Sequence, residues 1–306
     1  MASTVTQTQA SRQAVEAVRT AHPTRKKPPA VRRKRFLQTV GKHAVAIFFA
    51  VVFLTPFVFV LLTAVMTPQQ SLSTHLWPHP FVWSNFKKVF ELEPFWRYTY
   101  NTVVYAVLAT IGVVISSVPV AYALSRMRLR GRNGVFLLVL ATMMLPAQVT
   151  IVPLFVLFTT LHWVGSLKPL IVPAFFGDAF SIFLLRQFFL TIPQELLDAA
   201  KVDGASEFQI LWHVVAKLSK PAIMAVGLFQ FLFCWNDFFG PLVYAGNSQK
   251  IFTLSVGLSQ FTTHNRGVLW NVQMAASLLF MLPVIILFVL AQKAFIEGVT
   301  LTGVKG

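Results

Sequence analysis

The stretch Pro193–Pro221, PQELLDAAKVDGASEFQILWHVVAKLSKP, decides how the rest of the chain is read. It is a polar, helix-forming island between two long apolar runs. Pro193 suits the first turn of a helix, where its missing N–H costs nothing. Glu195 and Asp198 fall early in that helix and complement its positive end. Gly204 follows the helical run where a left-handed residue is wanted, so it ends the helix cheaply. Ser206 then opens a second helix, with Gln209 three residues on to complete a capping box. The spacing predicts a short helix, a sharp turn at Asp203-Gly204-Ala205 and a second helix leading back to apolar chain at Pro221. Ala199, Ala200 and Ala205 make one surface of this hairpin small, which permits close approach of another protein. An ordinary capped loop is the bland alternative, but a polar hairpin wedged between membrane spans has an evident use in docking a partner.

The apolar runs are those of a membrane protein. Hydrophobic residues make up 56% of the 306 positions and charged residues only 12%, with a mean hydropathy of +0.66. A soluble domain carries roughly a quarter of its residues charged. Six stretches are long enough to cross the hydrocarbon core, which takes about 20 helical residues. They run from about Val45 to Val65, Thr102 to Leu124, Val135 to Phe158, Leu170 to Phe189, Ala222 to Ala245 and Met274 to Phe295. The fold class expected is therefore an all-α membrane protein of six transmembrane helices, with the hairpin between the fourth and fifth. The first span exceeds the apolar core of a signal peptide, follows an overlong basic region and lacks a small-x-small cleavage site, so it is expected to stay in the membrane. Prolines at 56, 119, 146, 153, 173, 241 and 283 are expected to kink or open their helices.

The net charge of +16 is unevenly placed. Residues 1–42 carry ten Lys/Arg and one Glu, and form an expected basic, disordered tail ahead of a membrane domain at 43–306. Nucleic-acid binding is a rival use for such an arm, but a basic segment directly before an apolar span is a topology signal, and no nucleic-acid partner is expected. With the N-terminus inside, twenty Lys/Arg fall on the cytoplasmic side and six outside. The positive-inside rule then puts both termini and the Pro193–Pro221 hairpin in the cytoplasm.

Catalysis finds no support. Cys234 is the single cysteine, the seven His are scattered, and no metal-ligand spacing occurs. There is no G-x-x-x-x-G-K-[ST] phosphate cradle, so ATP is not expected to bind this chain. Neither a cofactor nor a catalytic residue is expected. Asp178 and Asp237 are the only carboxylates inside the expected spans, and intramembrane ionisable groups are functional candidates by default. Gln230, Cys234, Asp237 and Pro241 follow an i, i+4, i+7, i+11 pattern, one face of a helix. That face suits either the translocation path or the seam with a partner membrane subunit. Gln230, Asn236, Asp237 and Asp178 are the candidate path residues. Phe229 and Phe233 suit either lipid packing or the face of a sugar ring.

The hairpin resembles the EAA loop of binding-protein-dependent ABC transporter permeases, and the resemblance runs through nearly the whole chain beyond the tail. It is strongest to the carbohydrate-uptake branch, the maltose-permease-like and glycerol-phosphate-permease-like second subunit. Trp96-Arg97-Tyr98 with Asn101-Thr102 looks like the start of that branch's second span, and Ala121-Tyr122-Ala123-Leu124-Ser125-Arg126 like its end. Leu185-Arg186-Gln187-Phe188-Phe189 precedes the loop, Trp235-Asn236-Asp237-Phe238 lies in the fifth span, and Gln292–Gly298 through Gly303–Gly306 resembles the closing signature. Two positions depart from the pattern: the leading loop Glu falls on Asp198, and the Leu-Pro before the fifth span falls on Ala216-Lys217.

The resemblance implies a non-enzymatic permease whose hairpin engages a separate ATPase dimer through Glu195, Asp198, Ala199, Ala200, Asp203, Gly204 and Ala205. It also implies a second homologous permease subunit, an extracytoplasmic solute-binding protein and surrounding membrane lipid as partners. A sugar, mono- or oligosaccharide, is the expected solute. Glycerol 3-phosphate is the alternative within the class. An ion-coupled secondary carrier using Asp178 and Asp237, or a membrane scaffold, is the alternative outside it.

Overall fold

The computed structural model describes residues 29–246, 248–263 and 269–302, with backbone alone at 29–37, 147, 262–263, 291 and 293–302. The expected tail up to residue 28, His22, His264, Arg266 and the closing residues 303–306 lie outside the described residues. All regular structure among the described residues is helical. Four helices are long and apolar enough to cross a membrane (Gln38–Ala64, Phe95–Arg126, Lys168–Phe189 and Trp270–Leu290), and two sharply bent helix pairs raise the number to six if each is one crossing.

The chain divides into two units, residues 1–58 and 59–306. Helix α1, Pro29–Ala64, supplies the described part of the first and runs on into the second. Its start lies thirteen residues ahead of the tail boundary expected at 42, because Arg and Lys are good helix formers and a lone Gly41, the one poor helix former short of Pro56, does not end the helix.

In the second unit α2 (Ser84–Leu92) precedes the central helix α3 (Phe95–Arg126). Packed mainly against α3 are α7 (Ala179–Phe189) and α10 (Lys220–Asn236). Small residues make this close packing possible: Ala106, Ala109, Gly112 and Ala121 of α3 are all buried. A Cβ at Gly112 would lie 2.7 Å from the Phe175 ring, so that position accepts nothing larger without moving the aromatic.

The expected third, fourth and fifth spans are each broken. In the third, α4 (Arg132–Met143) and α5 (Ala147–Thr160) meet at 96°, with Pro146 capping the second piece. The fourth starts as α6 (Lys168–Ile171) and a 3₁₀ turn over Val172–Phe176, and its helical run is interrupted at Gly177, φ +96°, before α7. The fifth stops at Asn236; Asp237 is extended, and α11 (Phe239–Ala245) continues after it. This corrects the expected single face through Gln230, Cys234, Asp237 and Pro241, since the helix ends before Asp237. Hydropathy runs unbroken through both breaks; the cause lies in Gly177, in Asp178, which caps α7, and in Asp237, whose carboxylate accepts from Gly240 N at the start of α11. The chain finishes with α12 (Leu254–Thr263) and α13 (Trp270–Thr302).

Two cores result. One gathers Tyr98, Tyr105, Trp235, Leu254, Phe261 and Ala275. The other gathers Val118, Tyr122, Leu185, Phe189 and Val226 with four residues of the polar island, Leu197, Ile210, Leu211 and Val215.

Candidate functional site

The polar island folds as α8 (Gln194–Val202), a turn, and α9 (Glu207–Leu218). Pro193 sits at the N-cap rather than inside the first turn, with the extended ψ of 136° that a proline tolerates. Glu195 lies in the first turn and Lys201 in the last, each matched to the helix dipole. Asp198 accepts a hydrogen bond from Gln194 Nε2 at 3.0 Å. Asp203 is the C-cap, and Gly204 reverses the chain at φ +81°. Ser206 Oγ accepts from Gln209 N, and Gln209 Oε1 accepts from Ser206 N at 2.8 Å, completing the expected box. Beyond it α9 loosens into a π-helical stretch, Ile210–Val215, and turns by 80° at Ser219 to enter α10.

The hairpin has two unlike faces. Leu197 and Ile210 are 2% and 0% exposed, sunk in the core beneath. Val202 and Phe208 are 89% and 71% exposed, with Leu196 and Leu218 also open. Glu195, Asp198, Ala199, Asp203 and Gly204 are exposed as well, and Ala200 and Ala205 half-buried. Asp203, Gly204, Ala205, Gln209 and His213 line a shallow concavity of about 350 Å³ at the turn.

Two features hold the hairpin on α3, and neither stands out in the sequence. Tyr122 Oη donates to Glu207 Oε2 at 2.5 Å, while Lys201 Nζ pairs with Glu207 Oε1 at 2.8 Å. Lys201 first, then Tyr122, hold the Glu207 carboxyl below the usual carboxylate range. One turn on, Arg126 donates to the carbonyls of Phe189, at 2.6 Å from Nη2, and Ile192, and to Gln194 Oε1 at 3.0 Å. At the C-terminal end of α3, Arg186 donates to Leu124 O, and Arg132 to Ser125 O and Met127 O. The available signal was the Tyr122/Arg126 pair, four apart on the last turn of a span and so on one face.

The two intramembrane carboxylates sit at helix breaks. Asp178 N-caps α7, accepting from Ser181 N at 2.8 Å and Ser181 Oγ at 2.6 Å. With Phe180, Ser181, Phe229, Gln230 and Phe233 it lines a groove of about 350 Å³. Asp237 instead accepts from Tyr105 Oη at 2.9 Å and Gly240 N at 3.1 Å. Asn236 turns back on its own helix, donating to Leu232 O at 2.8 Å. Of the four candidate path residues, Asp178 and Gln230 share the groove lining; Asn236 and Asp237 are not part of it.

Broken apolar helices around a central span, with a capped polar hairpin between two of them, are the architecture of a polytopic membrane protein. The chain belongs to the family of binding-protein-dependent transport system inner membrane components, which matches residues 117–300. The arabinooligosaccharides transport system permease protein AraQ of Bacillus subtilis (strain 168) is 37% identical over 212 residues, 69% of this chain and 74% of that protein. The sn-glycerol-3-phosphate transport system permease protein UgpE of Yersinia pestis bv. Antiqua (strain Antiqua) is 31% identical over 227 residues, 72% of this chain and 80% of that protein. Among solved structures, a chain of a bacterial ABC transporter involved in the import of the acidic polysaccharide alginate superposes with a TM-score of 0.72. It is 27% identical, over 86% of this chain and 98% of that one.

Proposed function

We propose that this chain is a transmembrane subunit of an ATP-driven importer, translocating a mono- or oligosaccharide delivered by an extracytoplasmic solute-binding protein. ATP hydrolysis takes place on a separate ATPase dimer, and a second homologous permease completes the path. The hairpin and both termini face the cytoplasm, in keeping with twenty Lys/Arg on that side against six outside.

The observation that carries the coupling role is the two-faced hairpin. Its inner face is continuous with the core through Leu197 and Ile210, while Val202 and Phe208 stand in the open. Exposed apolar side chains flanked by Glu195, Asp198 and Asp203 suit a protein groove better than water. The small residues Ala199, Ala200 and Ala205 let the backbone approach it, and Gly204 sets the turn. When the ATPase dimer closes on ATP, the hairpin moves with it and the spans change between inward- and outward-open states.

The groove is the proposed solute contact. Aromatic faces at Phe180, Phe229 and Phe233 beside the polar groups of Ser181, Gln230 and Asp178 suit sugar rings and hydroxyls. Its lining residues carry one carboxylate and no cation, which favours a neutral or hydroxyl-rich solute over a phosphate ester. The UgpE likeness keeps glycerol 3-phosphate as the second reading. Asp237 and Asn236 act in this scheme as seam residues.

Copurification of the tagged chain with an ATPase, and ATP-dependent uptake in vesicles supplied with the binding protein, test the proposal. Uptake that collapses with an uncoupler at constant ATP would favour an ion-coupled carrier instead. Competition by glycerol 3-phosphate but not by sugars would favour the second solute.

A further inference from the structure

Motion of the hairpin has two physical routes into the membrane. The covalent route runs along α9 into α10. It contains six residues of π-helix, Ile210–Val215, and an 80° turn. At the turn, Ser219 is buried and its Oγ has no hydrogen-bond partner. π-helical segments are weakly held insertions in a helix, so this route is compliant.

The second route is non-covalent and stiff. Glu207 joins three elements through one carboxylate: its own helix, α8 through Lys201 at 2.8 Å, and α3 through Tyr122 at 2.5 Å. Tyr122 is 3% exposed, so its hydroxyl is held in place by the core around it. Arg126, on the same face one turn away, fastens the start of the hairpin through Phe189 O, Ile192 O and Gln194. The start of the island and the start of its second helix are thus tied to the last turn of one helix. That helix packs along α7 and α10, which carry Ser181 and Gln230 on the two sides of the groove.

We propose that Glu207 is a positioning residue, which with Tyr122 and Arg126 latches the hairpin to α3 so that the two move as one lever toward the groove. The inference rests on the reading of the chain as the coupled subunit of an importer. It adds that force travels through α3 rather than through the return helix. The carboxylate is charged-paired on one oxygen and accepts a phenolic proton on the other, a geometry that Gln cannot reproduce and Phe at 122 removes.

The test uses the purified complex of this chain with its partner permease and ATPase, in proteoliposomes with the binding protein. Copurified ATPase, ATP hydrolysis and solute uptake are measured on the same preparation. Tyr122→Phe and Glu207→Gln are each expected to keep the ATPase bound and hydrolysing, while uptake per ATP falls about tenfold. Glu207→Leu, which removes both the Lys201 pair and the Tyr122 bond, should mask Tyr122→Phe: the double variant Tyr122→Phe/Glu207→Leu should be no worse than Glu207→Leu alone. Loss of folded protein would lower uptake and hydrolysis together and leave their ratio unchanged, which separates coupling from stability.

Wild-type uptake per ATP in both single variants would overturn the latch. Failure of the wild-type chain to bind any ATPase would instead overturn the reading beneath it. Should either variant fail to assemble, Arg126→Cys/Gln194→Cys bridged by a short bis-maleimide decides the matter, since Gln194 is exposed and Arg126 half-buried while native Cys234 is buried. Uptake per ATP should be low before bridging and recover after it. A bridged protein that remains uncoupled contradicts the proposal.

Discussion

The hairpin and the groove are both polar places in an apolar chain, and they are built in opposite ways. The hairpin's polar groups cap their own helices within a few residues: Ser206 with Gln209, Gly204 after Asp203, Asp198 with Gln194. The groove's polar groups come from two helices far apart in sequence, Asp178 and Ser181 from one side and Gln230 from the other. Local capping makes an element that can move as a unit. Assembly across helices makes a cavity whose shape changes when the helices shift. In this account the first is the handle and the second is what the handle opens.

The largest expected effect breaks the handle. Gly204→Pro cannot adopt φ +81°, because the proline ring locks φ near −65°. It should abolish uptake while immunoblots of membranes show normal insertion, and deletion of Asp198–Ala205 should do the same. Wild-type uptake in the deletion would refute a coupling role. Gly204→Ala is the graded control: a Cβ there meets no atom within 4 Å, so only backbone strain of about 1–2 kcal/mol remains.

A second contrast separates the two carboxylates. Tyr105→Phe leaves Asp237 without its phenolic partner and should cost about 1–3 kcal/mol, read as a lower thermal midpoint of the complex. The solute preference should not change, because Asp237 belongs to the seam. Asp178→Asn retains the N-cap and so should leave the midpoint in place, while shifting the ranking of charged against neutral competitors in uptake. If the two outcomes exchange, the assignment of groove and seam is reversed.

Smaller effects sharpen the groove itself. Phe229→Ala should raise the solute KM severalfold, in line with a stacking loss of about 0.5–1.5 kcal/mol, with ATP hydrolysis per uptake event unchanged. Ser206→Ala removes one cap from the hairpin and should cost roughly 0.5–1 kcal/mol, seen as slightly lower coupling and no change in solute preference.

The same contrast explains what the sequence disclosed. The hairpin was legible almost to the residue, because Gly204, Ser206 and Gln209 act on backbone groups one to four positions away. Only the setting of Pro193 and the π-helical loosening of α9 were not foreseen. The breaks at Gly177 and Asp237 were hidden inside apolar runs that hydropathy reads as unbroken. Asp178 and Asp237 were singled out as costly intramembrane acids. The backbone N–H groups of Ser181 and Gly240 that offset that cost become visible only when the helices end there. Tyr122 and Glu207 lie 85 residues apart and meet through tertiary packing alone, so no local pattern announces them.

The most direct test of the coupling claim starts from a single cysteine at Ala199, which is exposed on the hairpin while native Cys234 is buried. In the assembled complex, a thiol-reactive photo-crosslinker at this position should yield one major adduct with the ATPase, and ATP should change its yield. If a membrane-impermeant maleimide applied from the outer side of intact cells labels Ala199→Cys, and no ATPase adduct forms, the coupling account is contradicted.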